Sequence, residues 1–134
     1  MAGADKKKIF ARDVMNTKIV TIDGLATARE AVEKMHTENV CELIVNKRSP
    51  DDAWGILVYQ DIVRGVVLTD LTPDEVNVYE LMTKPVITVP ADMNIRYAAR
   101  LIYNAGIRRA PVEENGELVG IITMASLVLG NKLF

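Results

Sequence analysis

The chain has 134 residues, enough for one compact domain that buries a core without disulfides. Hydrophobic residues make up 49% and charged residues 25% of the chain, an ordinary globular balance, and the formal net charge is −2. This slight negative charge argues against a nucleic-acid partner bound through overall positive charge, and the single cysteine, Cys41, excludes an intramolecular disulfide and fits a reducing compartment.

The N-terminal stretch is charged, so it is not typical of a signal peptide, and the longest uncharged run, residues 118–131, is shorter than a bilayer span needs. These features predict a soluble cytoplasmic protein with no membrane partner.

The first predicted elements follow an accessory segment, residues 1–13, in the order strand, helix, strand, strand, helix. The run KIVTI (18–22) predicts a strand, and Thr27 is a good N-cap for the helix after it. The runs ELIV (42–45) and WGILV (54–58) predict two further strands, and a second helix begins near Tyr59. In the first helix, apolar residues recur at helical spacing at Ala28, Ala31, Val32 and Met35.

A connector, residues 69–78, separates this set from a second one. Thr72 and Pro73 within the connector predict the N-cap and the first residue of a helix. The second set contains the strand PVITV (85–89), a helix capped by Asn94, the strands APV (110–112) and VGIIT (119–123), and a helix that begins near Met124.

The two sets are copies of one unit. Residues 14–45 align on 81–112 without a gap at an offset of 67, and residues 55–65 align on 120–130 at an offset of 65. The repeats therefore span 14–68 and 79–134. Because one unit alone leaves a sheet face uncovered, we expect an α/β fold of two β-α-β-β-α repeats, packed sheet to sheet about a pseudo-twofold axis.

The duplication resembles a known family. Together with MTKPVITVPAD, AGIRRAPVEENGELVGIIT and a Gly-apolar-apolar-Thr/Ser-x-x-Asp element, it is similar to a tandem cystathionine-β-synthase (CBS) domain pair, or Bateman module, over about residues 12–131. The resemblance implies two clefts between the repeats, dimerisation of the pair, and binding of AMP, ADP, ATP or sometimes S-adenosylmethionine.

The resemblance also implies which residues bind the nucleotide. Asp61 matches the carboxylate of the element and would bind the ribose hydroxyls, although Val58 stands at its hydroxyl position. Thr123 matches the hydroxyl of the second copy, whose carboxylate position holds Ser126. Arg108 and Arg109 would reach the phosphates in the Asp61 cleft. The adenine would lie against residues 17–21 and 40–41, so the expected set is Thr17, Val20, Thr21, Cys41, Tyr59, Asp61, Arg108, Arg109 and Thr123.

Simpler interpretations exist for the same residues. Asp61 could only stabilise the first turn of its helix, and Thr123 could only cap its own. Arg108 and Arg109 could be solvated or pair with Glu113 and Glu114. Cys41 is expected to be a small buried residue. His36 is expected to be a solvated residue without a metal set around it.

The sequence contains no nucleophile–base pair, dinucleotide loop or Walker-type loop, and no paired carboxylates with a plausible geometry, so it predicts no enzyme and no cofactor. We expect a stand-alone regulatory protein that senses cellular energy through an adenosine nucleotide, forms a homodimer through its second helices, and signals to an effector protein in trans. The alternative is a ligand-free dimerisation or interaction module whose nucleotide sites have decayed.

Overall fold

The computed structural model describes residues 8–131 and 133, so the first seven residues of the predicted accessory segment lie outside the described residues. Within the described part of the chain, the strands form two three-stranded sheets. In each sheet the first strand pairs parallel with the second, and the second pairs antiparallel with the third. The sheets consist of β1 (Thr21–Ile22), β2 (Glu42–Val45) and β3 (Gly55–Val58), and of β4 (Val89–Pro90), β5 (Arg109–Glu114) and β6 (Glu117–Thr123).

The helices complete two copies of the same element order. They are α1 (Ala11–Val14), α2 (Ala28–Glu38), α3 (Tyr59–Ile62), α4 (Val78–Leu81), α5 (Ile95–Ala105) and α6 (Met124–Leu129), and a π-helical turn over Val63–Val67 continues α3. The mixed α/β class and the duplicated β-α-β-β-α unit are confirmed.

The two long helices begin at the predicted N-caps and end at left-handed residues. The Thr27 hydroxyl accepts a hydrogen bond from the Glu30 N–H at 3.1 Å, and the Asn94 side chain accepts one from the Arg96 N–H at 2.9 Å. The residues after the helices, Asn39 and Gly106, are left-handed, with φ of 55° and 70°. Each helix therefore carries its own start and stop signals.

The chain divides into two compact units that do not follow the linear repeats. We call Val20–Val86 the continuous unit, and the residues up to Ile19 together with those from Ile87 onward the discontinuous unit. The compact units describe which residues pack together, whereas the predicted boundaries describe the repeats along the sequence. Those boundaries therefore stay a prediction: 1–13, 14–68, 69–78 and 79–134.

The short leading helices pack across the repeats. Helix α4, which precedes the strands of the second repeat, packs in the continuous unit, and α1, which precedes the strands of the first repeat, packs in the discontinuous unit. In the continuous unit, the Val78 N–H of α4 donates to the Ala26 carbonyl at 2.8 Å, and Thr83 and Ile56 exchange two bonds of 2.9 Å. In the discontinuous unit, the Ala11 N–H of α1 donates to the Met93 carbonyl at 2.9 Å. Residues 16 and 121 exchange two bonds of 2.9 Å there. The leading helices, 67 positions apart, are thus one more repeated element.

Each unit has its own core. The continuous core includes the fully buried Leu43, Leu57 and Val78, so α4 contributes to it directly. The discontinuous core includes the fully buried Ile102 and Ile122, with Ala11 of α1 and the other apolar residues of its cluster.

The helix predicted at Thr72–Pro73 is wrong, because this part of the connector forms a turn. The Thr72 carbonyl accepts the Glu75 N–H at 3.0 Å. The Pro73 carbonyl accepts the Arg29 N–H at 3.1 Å, and the Asp74 carboxylate pairs with the Arg29 Nε at 2.7 Å. These bonds hold the segment against the start of α2, so the chain does not continue into helical turns.

The loop between β2 and β3 is closed by one carboxylate. Asp52 Oδ2 accepts the Arg48 N–H at 2.8 Å and pairs with Lys84 Nζ at 2.6 Å. The bond from Lys84, followed by that from the Arg48 backbone, lowers the pKa of Asp52 to about 2.

We expect Asp52→Asn to lower the free energy of unfolding at pH 7. The difference from wild type should shrink towards zero as the pH falls through about 2. Because the pKa of Asp52 is lower in the folded chain, its carboxylate stabilises the fold above about pH 4, and this contribution is lost as the pH falls through about 2. Urea unfolding across this pH range measures the difference from wild type. Asp51→Asn, a change at the exposed neighbouring residue, is the control. A difference that stays constant with pH would contradict the assignment.

None of the helices in the described ranges is long and apolar enough to span a bilayer.

Candidate ligand site

In the continuous unit, three of the predicted site residues lie where β2 begins and β3 ends. The Tyr59 N–H donates to the Cys41 carbonyl at 3.2 Å, and Asp61 follows one half-turn later in α3. A groove of about 430 Å³ lies beside them, with walls that include Met35, Val40, Cys41, Tyr59 and Ile62. We call this the α2–α3 groove.

The Asp61 carboxylate already has hydrogen-bonding partners within the continuous unit. Its side chain is only 12% exposed. One carboxylate oxygen accepts the Val58 N–H at 2.9 Å, and the other pairs with Arg64 Nη2 at 2.7 Å. Asp61 therefore stabilises the start of α3, as the simpler interpretation holds, and a ribose would have to share the carboxylate with Arg64.

Arg64 is the residue near this site that sequence reasoning missed. It also donates to the Leu81 carbonyl at 3.3 Å, so it links α3 to the end of α4. Its spacing of three residues from Asp61 is the signal that would have identified the pair.

Thr21 is the first residue of β1 in the same unit, and Val20 directly precedes it. The Val20 carbonyl accepts the Ile44 N–H at 2.9 Å, and the Val20 side chain is 9% exposed and belongs to the core. Thr21 pairs with Ile44 and is half-buried.

In the discontinuous unit, the two arginines and Thr123 are brought together. Arg109 pairs with Thr123 across β5 and β6, and the Arg108 carbonyl accepts the Met124 N–H at 2.9 Å. The Arg108 side chain is exposed and Arg109 is half-buried. Thr17 belongs to this unit as well and is exposed. The site set is thus divided between the units, and its convergence on one ligand stays a prediction.

Thr123 caps α6, as the simpler interpretation predicts. Its hydroxyl accepts the Ser126 N–H at 3.0 Å. In return, the Ser126 hydroxyl accepts the Thr123 N–H at 2.9 Å. Glu114, one of the two glutamates with which the arginines could pair, has its carboxylate 3.7 Å from the Arg12 guanidinium.

The expectation that Cys41 is buried is wrong, since its side chain is exposed. Cys41 follows the left-handed Asn39 and lies at a bend just before β2, outside the strand whose residues enter the core. Among the described residues, no group of three or more histidine, cysteine, aspartate and glutamate side chains could hold a metal ion.

Two copies of one strand–helix–strand–strand–helix unit, each with a short leading helix, define a duplicated α/β module. The family model for the CBS domain matches residues 11–68 and 78–129, so the chain belongs to the CBS domain family and carries a tandem CBS pair. The matches begin at Ala11 and at Val78, the first residues of α1 and α4, three residues and one residue before the predicted starts of the repeats.

Similar proteins support this assignment. An uncharacterised protein of Methanopyrus kandleri is 36% identical over 91% of this chain, which spans 62% of that relative's length. A hexameric CBS-CP12 protein from bloom-forming cyanobacteria has a structure with a TM-score of 0.88 at 35% identity, covering 92% of this chain and 68% of that one. An uncharacterised conserved protein from Pyrococcus horikoshii gives a TM-score of 0.81 at 26% identity over 92% of both chains.

Proposed function

We propose that this CBS pair is a non-enzymatic regulatory module that binds an adenosine nucleotide such as AMP, ADP or ATP and passes its occupancy to a partner protein. The observation that carries the proposal is the placement of Arg108 and Arg109 beside Thr123, where β5 begins and β6 ends. A guanidinium group suits the oxygens of a phosphate, which accept paired hydrogen bonds, and two consecutive arginines offer two such groups.

The continuous unit supplies the complementary chemistry for a nucleoside. The α2–α3 groove offers apolar side chains beside Tyr59, and Asp61 stands at the start of α3 with acceptor capacity for ribose hydroxyls. Arg64 competes for that carboxylate, so nucleotide binding would rearrange the pair.

We expect Asp61→Ala to weaken AMP binding by about 1.5–3 kcal/mol, because it removes a hydrogen-bonding partner that is charged. Arg109→Ala should weaken ATP binding more than adenosine binding, because only ATP carries phosphates. Isothermal titration calorimetry with AMP, ATP and adenosine measures both effects. Arg100→Ala, which removes an exposed arginine of α5 in the same unit as Arg109, is the matched control.

A second variant separates binding from folding. Arg64→Ala leaves Asp61 in place and removes its internal partner, so nucleotide binding should persist even though the variant loses the ion pair. If wild type and every variant bind AMP alike, the assigned residues are wrong.

The second candidate function is a ligand-free module that self-associates. Asp61 is already satisfied within its unit, and apolar residues stay exposed on the closing helices, with Val67 at 68% and Leu129 at 82%. The similar CBS-CP12 protein is hexameric, and we propose that this chain also self-associates, with a homodimer as the basic assembly. A thermal shift assay that shows no stabilisation by AMP, ATP or S-adenosylmethionine, together with a dimer in light scattering, would favour this function over nucleotide sensing.

A further inference from the structure

A second cavity in the continuous unit lies at the opposite end of the strands from Cys41. Its volume is about 540 Å³, within the range of small-molecule sites. It is formed where β1 and β2 end and where the chain leaves α4. We call it the basic pocket, because its walls include Lys47, Arg48 and Lys84.

The cations of the basic pocket are held in place by their neighbours. Asp52 accepts the Arg48 N–H at 2.8 Å and pairs with Lys84 Nζ at 2.6 Å, so one carboxylate fixes the loop and the lysine together. The Lys47 ammonium lies 5.4 Å from the centre of the Trp54 ring. The two lysine ammonium groups and the Arg48 backbone therefore have defined neighbours in the wall of the pocket.

The basic pocket contains one carboxylate, and that group has an internal partner. Asp23 Oδ1 accepts the Leu25 N–H at 2.8 Å, in the turn after β1. With one aspartate against Lys47, Arg48 and Lys84, the wall keeps a positive balance even though Lys84 also pairs with Asp52.

Apart from Gly24 and Asn46, the other residues that line the basic pocket have largely apolar side chains. Val45 and Met82 form part of its wall, and the Tyr79 and Leu25 side chains are 52% and 69% exposed. A bare inorganic anion would leave these side chains in water. An anion with an aromatic or aliphatic body would cover them and gain hydrophobic free energy.

The second repeat provides an internal comparison. A cavity of about 320 Å³ occupies the corresponding place in the discontinuous unit, lined by residues that include Arg12, Asp92, Glu113 and Glu114. At the offset of 67, Lys47 corresponds to Glu114 and Arg48 to Asn115. Both units therefore have a cavity at this place, but its walls are mainly positive in the continuous unit and mainly negative in the discontinuous unit. The cavity is a feature of the repeated fold, whereas the positive charge is found in the first repeat.

We propose that the basic pocket binds a small organic anion, one whose phosphate or carboxylate group contacts Lys47 and Arg48 and whose apolar body lies against Leu25, Tyr79 and Met82. This site uses none of the residues proposed for the adenosine nucleotide, so either site can fail without the other.

Phenyl phosphate is the probe for this proposal, and Trp54 is the reporter. Trp54 is the only tryptophan of the chain and lies next to Lys47, so a ligand that draws the ammonium away changes the fluorescence of this ring. We expect saturable binding by the wild type. The variant Lys47→Glu/Arg48→Asn, which installs the residues of the second repeat, should bind at least about tenfold more weakly, since a charged hydrogen bond contributes more than 1.4 kcal/mol.

Three controls sharpen the test. Lys34→Glu makes the same lysine-to-glutamate change on the exposed surface of α2 and should leave phenyl phosphate binding unchanged. Inorganic phosphate should bind more weakly than phenyl phosphate, because it lacks the apolar body. AMP titration of the Lys47→Glu/Arg48→Asn variant should match that of wild type, which separates this site from the nucleotide site.

Several results would overturn the proposal. One is the absence of saturable phenyl phosphate binding at millimolar concentration, and another is equal binding by wild type and by Lys47→Glu/Arg48→Asn. If inorganic phosphate bound as tightly as phenyl phosphate, the apolar side chains of the pocket would contribute nothing to binding. Tighter binding of a hexaglutamate peptide than of phenyl phosphate would assign the pocket to an acidic segment of a partner protein instead.

Discussion

Gly120→Ala is expected to destabilise the protein by about 1–3 kcal/mol, because a side chain at this position has no space. A Cβ there would lie 2.5 Å from Met15 Sδ and 2.9 Å from the carbonyl oxygen of Asn16. That oxygen is backbone and is bonded to the Ile121 N–H at 2.9 Å, so it cannot move without breaking the contact between β6 and the segment after α1. Urea unfolding followed by circular dichroism measures the loss.

Gly55→Ala is the matched control for this prediction. In the continuous unit a Cβ at Gly55 would meet the corresponding atoms, but its distances would be 3.1 Å to Met82 Sδ and 3.3 Å to the Thr83 carbonyl oxygen. These gaps are wider, so a small adjustment accommodates the methyl group and the expected cost is lower. A Gly55→Ala variant as unstable as Gly120→Ala would contradict the argument.

Leu57→Ala is expected to cost about 2–5 kcal/mol, the range for truncating a fully buried leucine. Leu57 of β3 is 0% exposed and pairs with Leu43 of the central strand β2, so truncation leaves a cavity in the continuous core. Trp54 lies in the same unit, so its fluorescence follows the unfolding of that unit.

Leu68→Ala serves as the control for the core truncation. Leu68 is 74% exposed at the end of the π-helical turn, and its loss should change stability by less than about 0.5 kcal/mol. Equal losses for Leu57→Ala and Leu68→Ala would mean that the assigned core is wrong.

Local signals in the sequence were sufficient for most of the fold. Thr27 and Asn94 identify the helix starts because the cap and the first turn are neighbours in sequence. The short leading helices were missed because four residues are too few to show a helical period. Their packing on the other repeat's sheet is a long-range property that no local pattern encodes.

The candidate sites likewise include residues that the sequence predicts and residues that only the fold brings together. Asp61 and Thr123 stand out because they belong to a repeated motif, and Arg108 and Arg109 because they are consecutive charges in the stretch that resembles the family. The basic pocket does not, because the loop after β2 supplies Lys47 and Arg48 whereas the chain after α4 supplies Lys84. The exposure of Cys41 depends on the left-handed turn before β2, and composition alone favours a buried cysteine.

Each leading helix packs with the sheet of the other repeat, and this arrangement has consequences for synthesis of the chain and for dividing it into fragments. On the ribosome, residues 20–86 emerge as a complete unit, whereas α1 is made early and waits for β4, β5 and β6 before it has a core to join. A cut in the middle of the connector would give two fragments that each hold the wrong helix, since α4 would leave with the second sheet and α1 with the first. Each linear half of this chain therefore lacks the leading helix of its own core, and a single continuous fragment that keeps a compact unit whole spans residues 20–86.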